Sequence, residues 1–143
     1  MPRPTRFADT PGQLHVASIC YDFDADGGAG DGDFLLPGVI PARALLLNGV
    51  VSVLKDLTSE GVFTTVALRL IPDDEYIVAD EDLTGWTTGG RSLKVTDLLK
   101  AGNYDPLIIK EDCQISLDAT DALTGGKFVL YLTYVMALDE IID

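Results

Sequence analysis

The sequence predicts an all-β fold: a β-sandwich or jelly-roll-like single domain of about eight strands with an extended N-terminal arm. The chain has 143 residues, enough for one hydrophobic core. Fourteen Gly and seven Pro supply turns in a chain that is 47% hydrophobic. Short runs alternate apolar and polar side chains, and helical periodicity is scarce. We therefore expect residues 1–13 to form the arm and residues 14–143 to form the sandwich.

The strong negative charge excludes several classes of partner. Ten Lys and Arg against 23 Asp and Glu give a formal net charge of −13, so we expect no direct binding to nucleic acid or membrane. The N-terminus lacks the apolar run of a secretory signal, and no stretch has the length of a membrane span. We therefore expect synthesis in a cytoplasm, where Cys20 and Cys113 remain buried, reduced thiols.

The first 13 residues have the composition of an extended arm. Pro2, Pro4 and Pro11 prevent a regular ladder of hydrogen bonds, while Arg3 and Arg6 make the segment basic. Because the rest of the chain is acidic, such an arm could dock onto a neighbouring acidic surface. A frayed terminus explains the same pattern.

Three segments near the start predict strands or extended chain. Residues 14–23 are rich in apolar and β-branched types and lead into an Asp- and Gly-rich loop over residues 22–33 that is too rich in Gly for a regular element. Residues 35–40 contain or adjoin prolines, so they predict an edge strand or an extended connection. Residues 44–55 could line one face of a helix, but Gly49 and the Val-rich alternation favour a strand.

The middle of the chain predicts a hairpin, an edge strand and a helical turn. Turn residues 58–61 separate the strand at 44–55 from an alternating run at 62–70, so we expect these two strands to pair. Residues 76–79 predict an edge strand. Residues 96–101 predict one short helical turn, with capping residues at both ends.

The last third contains the clearest strand. Residues 107–109 and 113–117 predict two further short strands. After a turn expected at residues 124–126, residues 128–136 place large apolar side chains on one face. The other face is also apolar, so we expect it to be covered by a second sheet or by another subunit.

Motifs for catalysis are scarce. His15 is the only histidine, and no partner for it is recognisable, so a structural or surface role is favoured. The sequence contains no phosphate-binding or dinucleotide-binding loop, no HExxH and no CxxC. The chain is therefore not expected to be an enzyme; a hydrolase is the remaining minor alternative.

One acidic stretch has the spacing of a calcium loop. Asp22, Asp24 and Asp26 alternate before a glycine, and Asp33 follows the first by eleven positions. Three observations argue against a Ca²⁺ site. Asp33 occupies the position where calcium loops usually have a bidentate Glu, and the extra glycines raise the entropic cost of ordering the loop. No helix is predicted on either side of the loop. A solvated turn is therefore favoured, and Ca²⁺ is the only cofactor left open.

Most aromatic residues are expected in the core because strands carry them. Trp86 is the exception, since it lies outside any clear strand between Thr and Gly and could face a ligand or partner. The aromatic residues assigned to the core are Tyr21, Phe23, Phe34, Phe63, Phe128, Tyr131 and Tyr134.

Three stretches resemble head decoration proteins of tailed phages, also called cement or head-fibre proteins. LPGVIPARALLLNGVVSV (residues 36–53) is similar to their "ipaGAvvldvvvdV" segment, and FTTVAL (residues 63–68) to the strand that follows. LTGGKFVLYLTY (residues 123–134) is similar to their "lTaGkv.vyl.Y" ending. The resemblance covers residues 35–135 in matching order. The acidic loop and the region of residues 72–92 are longer than the family's compact pattern.

The resemblance implies a structural virion subunit, usually trimeric, that sits on the outer capsid and binds the major capsid protein. It implies no catalytic residues. Alternatives are a phage tail or baseplate protein, and a calcium-dependent carbohydrate-binding module that would use Trp86. The candidates for anchoring the arm on the capsid or on a neighbouring copy are Arg3, Arg6 and Phe7. The candidates for the subunit interface are Val129, Tyr131, Thr133 and Val135.

Overall fold

Two four-stranded sheets pack face to face in the computed structural model, which describes residues 6–27, 32–72, 75–88, 92–94 and 108–136. The described helical segments are a one-turn helix, α1 (Phe23–Asp26), and a 3-10 helix (Leu83–Gly85), and neither is long and apolar enough to cross a membrane. The strands are β1 (Leu14–Asp22), β2 (Gly32–Leu35), β3 (Ala44–Ser59), β4 (Thr65–Ile71), β5 (Glu75–Asp82), β6 (Ser92–Lys94), β7 (Gln114–Ala119) and β8 (Leu123–Met136).

The order of the strands is that of a jelly roll. The first sheet runs β1-β8-β3-β6 and the second β2-β7-β4-β5, with all neighbouring strands antiparallel. Each connection crosses from one sheet to the other, except that between β4 and β5. Winding of this kind encloses one core between two sheets. The expected all-β fold of about eight strands is therefore confirmed.

The expected hairpin between residues 44–55 and 62–70 is wrong. β3 pairs with β6 and β8, whereas β4 pairs with β5 and β7, so the intervening turn carries the chain from one sheet to the other. Alternation shows which face of a strand is buried but not which strand lies beside it. A turn between sheets also uses the same residue types as a hairpin turn. The edge strand expected at residues 76–79 is confirmed, because among the described strands β5 pairs with β4 alone.

β8 begins earlier than the sequence predicts. The turn expected at residues 124–126 lies inside this strand, where its pairing with β3 shifts register. Gly126 has a φ of 129°, and a Cβ atom there would lie 2.8 Å from the Cα atom of Leu57, so this position requires glycine. The helical turn predicted over residues 96–101 and the first residue of the strand predicted at 107–109 lie outside the described residues.

The core lies between the sheets and centres on β8. Phe128, Leu130, Leu132 and Tyr134 are fully buried and alternate with outward-facing residues. The second sheet contributes Leu68, among others, to the same buried cluster. The inner faces of both sheets are therefore covered by each other, as the alternation in each strand requires.

Trp86 is part of this core, so the expectation that it could face a ligand is wrong. Its side chain is fully buried, and its ring centroid lies 5.1 Å from that of Phe128. The 3-10 helix turns the chain back toward the first sheet, where the Leu57 amide donates to the Trp86 carbonyl oxygen at 3.0 Å. A local change of direction thus buries a tryptophan that the sequence places in a loop.

A fully buried leucine of β8 should contribute more to stability than a half-exposed leucine of β3. Leu130 is fully buried, whereas Leu54 is half exposed. We expect Leu130→Ala to lower the free energy of unfolding by about 2–5 kcal/mol, and Leu54→Ala by less than about 1 kcal/mol. Denaturant unfolding followed by circular dichroism measures both values. Equal losses would contradict the packing described above.

Candidate functional site

The four interface candidates of β8 share the face that the structure turns outward. Val129, Tyr131, Thr133 and Val135 alternate with buried residues and are themselves half-buried or exposed. β8 lies between β1 and β3, so these side chains occupy the middle of the outer face of the first sheet. The sequence left open which face of β8 points inward, and packing against the second sheet decides it.

Cross-strand partners extend this surface over three strands. Val135 of β8 lies between Leu14 of β1 and Leu45 of β3. These three residues form one cross-strand row, and Thr133, Tyr131 and Val129 each lie in a similar row of three outward-facing residues. None of the twelve residues that these rows contribute from β1, β3 and β8 carries a charge, although the net charge of the chain is −13. On β6, at the edge of the sheet, Lys94 lies opposite Val50 in the register. We call this surface the uncharged face. Its residues are Leu14, Val16, Ser18 and Cys20 of β1; Leu45, Asn48, Val50 and Ser52 of β3; and Val129, Tyr131, Thr133 and Val135 of β8.

Several apolar side chains of the uncharged face are accessible to solvent. Leu14 is 67% exposed and Val16 is 59% exposed. Leu47, at a register shift of β3, adds another exposed apolar side chain at the margin. The next row of the sheet is charged, with Lys127 Nζ 3.8 Å from an Asp22 carboxylate oxygen. Contiguous apolar surface with a polar boundary is typical of an interaction site.

The outer face of the second sheet differs, because it carries an ion pair. Arg69 Nε donates to Asp118 Oδ2 at 2.9 Å, and the Ser116 hydroxyl donates to the other carboxylate oxygen at 2.6 Å. The Arg69 and Asp118 side chains are largely shielded from solvent. Covering such a pair with an apolar partner would remove its remaining water. Of the two sheets, the first is the better candidate for association through apolar contacts.

Cys20 adds a thiol to the uncharged face. It is half-buried opposite Val129; burial raises the pKa of its thiol, and Lys127 offsets part of that effect. The thiol therefore stays neutral near pH 7. Cys113 is buried, and its Sγ donates to the Glu111 carbonyl oxygen at 3.2 Å. The expected burial is confirmed for Cys113 and is wrong for Cys20, which is only half-buried, and that both thiols are reduced stays a prediction.

The described part of the arm lies against its own sandwich. The Phe7 amide donates to the Val39 carbonyl oxygen at 2.9 Å, and the Phe7 ring packs against the core. The Tyr134 hydroxyl donates to the Ala8 carbonyl oxygen at 2.5 Å. These contacts attach residues 7 and 8 to the end of the sandwich where β8 finishes.

Arg6 makes two exposed ion pairs within the chain. Its guanidinium nitrogens lie 3.1 Å from Asp9 and 3.2 Å from Asp112. Exposed pairs contribute at most about 1 kcal/mol, so Arg6 can exchange these partners at little cost. Arg3 lies outside the described residues. The part that Arg3, Arg6 and Phe7 would have in anchoring the subunit stays a prediction.

The acidic loop begins with a helical turn that uses two of the proposed calcium ligands. Asp22 Oδ1 accepts from the Asp24 amide at 3.1 Å, and Asp26 Oδ2 accepts from the Asp22 amide at 2.9 Å. These bonds satisfy amides at the start of α1, which explains the alternating acids without a metal. The expectation of a loop without regular structure is therefore wrong at residues 23–26.

Lysines also neutralise part of this acidic group. Lys55 Nζ lies 3.5 Å from an Asp24 oxygen, and Lys127 pairs with Asp22 as described above. Among the described residues, no three His, Cys, Asp or Glu side chains converge as metal ligands would. The Asp33 side chain lies outside the described residues, so the preference for a solvated turn over a Ca²⁺ site stays a prediction.

The two residues singled out for possible chemistry, His15 and Trp86, are held within the fold. His15 Nε2 lies 3.0 Å from the Thr10 carbonyl oxygen, and the ring contacts that of Tyr134 at 5.3 Å between centroids. The buried indole N–H of Trp86 has no hydrogen-bond partner within the part of the chain that the structure describes. Both side chains have packing roles.

An exposed apolar pair that the sequence does not predict lies at the turn between β3 and β4. Val62 is 87% exposed and Phe63 is 91% exposed, although Phe63 was expected in the core. β4 begins only at Thr65, and Thr64 is the residue that is buried. The available signal was the turn composition, since Gly61 directly precedes the pair. We call these two residues the Val62–Phe63 tip.

Comparison with known proteins supports the fold. No family model matches the sequence, and no curated protein matches it. A chain in the solved structure "Capsid of Ralstonia phage GP4" aligns over 97% of this chain and 93% of its own length, with a TM-score of 0.57. The aligned residues are 16% identical, so the likeness shows a common fold and does not by itself show a common function.

Calcium should have no effect on the stability of this protein. The carboxylates of Asp22, Asp24 and Asp26 already accept amide hydrogen bonds or pair with lysines. We expect millimolar Ca²⁺ to leave the thermal unfolding midpoint unchanged relative to the same concentration of Mg²⁺. A selective rise with Ca²⁺ that disappears in Asp24→Asn would instead establish a calcium site.

Proposed function

We propose that this chain is a structural virion protein, a decoration or head-fibre subunit that binds the outer surface of a phage capsid shell and stabilises it. The observation that carries the proposal is the uncharged face, an exposed and partly apolar surface on a strongly acidic chain. The jelly roll shared with a chain of a phage capsid supports the same class of function. The resemblance of residues 35–135 to head decoration proteins points to the outer surface.

The proposed role of the uncharged face is to join copies of the chain into a homotrimer. Burying apolar side chains contributes about 25 cal/mol for each Å² removed from water. Elsewhere, like charges on the acidic copies repel one another, so the absence of charge favours approach through this one surface. Three identical subunits form a closed ring when one part of the uncharged face of each copy contacts a different part of the same face on the next copy.

The proposed stabilising mechanism is multivalent contact. A trimer that touches several copies of the major capsid protein dissociates only when all its contacts break together, so moderate contacts give a long residence time. The arm residues Arg3, Arg6 and Phe7 are proposed to supply one of these contacts. Arg6 suits this role because its ion pairs within the chain are exposed and contribute little.

Two alternatives differ in what they require. A tail or baseplate protein would use the same surfaces and differ only in its place in the particle. A calcium-dependent carbohydrate-binding module would need an accessible aromatic platform, but Trp86 is fully buried. The structure therefore does not support Trp86 as the sugar-binding residue of such a module.

A charge on the uncharged face should separate the subunits. We expect Tyr131→Asp to weaken each interface by about 3–5 kcal/mol, because the new carboxylate would be buried without a partner. Native mass spectrometry should then show monomers where the unmodified chain gives trimers. Leu35→Asp on the second sheet is the matched control, since it adds the same charge at another half-exposed residue. If both variants remain trimeric, or if the unmodified chain is monomeric, the proposed interface is wrong.

Purified chain should bind shells of the major capsid protein that were assembled without it. Cryo-imaging should show added density on the outer surface, and its absence would contradict the proposed function. We expect the Arg3→Ala/Arg6→Ala variant to bind roughly tenfold more weakly, because two exposed ion pairs of up to about 1 kcal/mol each are lost.

The control for the arm variant is Lys55→Ala/Lys110→Ala, which removes the same charge from two other exposed residues. Equal occupancy of the shell by the unmodified chain and the arm variant would remove the arm from the mechanism. Thermal unfolding of each variant shows whether its fold is intact.

A further inference from the structure

We propose that the Val62–Phe63 tip is a rigid anchor that inserts into an apolar pocket, framed by Lys or Arg side chains, on the shell protein. This inference rests on the proposed function and adds a contact residue that the sequence did not suggest. Phe63 is the most exposed large hydrophobic residue that the structure describes. Aromatic anchors that fill a pocket commonly dominate the binding energy of a protein interface.

Hydrogen bonds to the turn before β8 hold the loop in place. The Thr64 hydroxyl is buried, lies 2.6 Å from the Ser59 hydroxyl and donates to Asp121 Oδ2 at 2.9 Å. The Glu60 amide donates to the Ala122 carbonyl oxygen at 3.2 Å. The residues on either side of the Val62–Phe63 tip are thus hydrogen-bonded to residues about 60 positions later in the chain. Phe63 is therefore presented outward by a fixed backbone, and binding would require little ordering of the loop.

An apolar cleft lies directly beside Phe63. It has a volume of about 350 Å³, and its walls include Phe63, Thr65 and Leu83. The tip therefore offers a projecting ring and, next to it, a cavity that can accept an apolar side chain of the partner. A projection beside a cleft fits a contoured protein surface better than it fits a flat one.

Charge around the tip indicates the chemistry of the partner. The three described segments that meet at this end, residues 56–66, 82–88 and 119–126, contain Asp56, Glu60, Asp82 and Asp121 and no Lys or Arg. A second copy would bring the same four acids against them, which is unfavourable. A different protein whose pocket is framed by basic side chains is therefore the better occupant.

The tip is also in a position that leaves the other proposed contacts undisturbed. It follows the end of β3 that pairs with Leu123, whereas the arm pairs near Met136 at the other end of β8. Fourteen residues of β8 separate these ends by roughly 40 Å. The charged row at Asp22 and Lys127 separates the tip from the uncharged face. A trimer formed through that face therefore keeps its three tips accessible.

The test uses the full chain and shells of the major capsid protein assembled without it. Co-sedimentation over a range of concentrations compares the unmodified chain with Phe63→Ser, and Leu35→Ser is the matched control at a half-exposed residue. We expect Phe63→Ser to weaken shell binding about 30-fold or more. Leu35→Ser should bind normally, and both variants should keep the thermal midpoint and oligomeric mass of the unmodified chain.

Three results with the variants would overturn the inference without overturning the proposed function. If Phe63→Ser binds shells as the unmodified chain does, the tip is not the anchor, while the proposed function stands. If Phe63→Ser lowers the oligomeric mass, the tip contacts a second copy instead. If Glu60→Lys tightens shell binding, the pocket is not framed by basic residues. Failure of the unmodified chain to bind shells would overturn the proposed function, and this inference with it.

Discussion

The two-sided environment of β8 is the constraint on which the rest of the molecule depends. Its inward residues, such as Leu130 and Leu132, must face the second sheet to form the core. Strict alternation then turns Tyr131 and Thr133 outward. Because β1 and β3 both pair with β8, its register also determines which of their residues share the outer face. A slip of one residue would move the apolar set out of the core, so the register that builds the core also builds the uncharged face.

The distribution of charge complements this arrangement. The chain has 13 more acids than bases, yet acids concentrate in turns and at the ends of strands, as Asp22, Glu60 and Asp82 illustrate. Repulsion between acidic surfaces disfavours most ways in which two copies could meet. The twelve residues of the uncharged face present no such barrier, and the charged residues at its boundary are Lys127, Asp22 and, on β6, Lys94. Specificity in the proposed trimer thus comes as much from repulsion elsewhere as from attraction at the interface.

The sequence predicted local patterns well and distant partners poorly. Alternation in β8 predicted both of its faces, because the period of side chains along a strand is a local property. The crossing from β3 to β4 was missed because the same turn residues serve hairpins and crossovers. The sequence predicts a core position for Phe63 because the run at residues 62–70 places it in a strand, but β4 begins only at Thr65, after Thr64 donates a hydrogen bond to Asp121. Trp86 was assigned to a loop, and a 3-10 helix buries it. These errors involve contacts between residues far apart in the chain.

In the proposed role, rigidity matters as much as affinity. The loop that carries Phe63 is bonded to Asp121 and Ala122, and β8 begins at the next residue. A force applied at the tip is therefore transmitted into the central strand of the first sheet, whose outer face would hold the neighbouring copies. At the far end of β8, Tyr134 is bonded to the arm through Ala8. β8 thus connects the three proposed contacts, which are the tip, the uncharged face and the arm. If one of these contacts breaks, the other two still hold the subunit in position, as multivalent attachment requires.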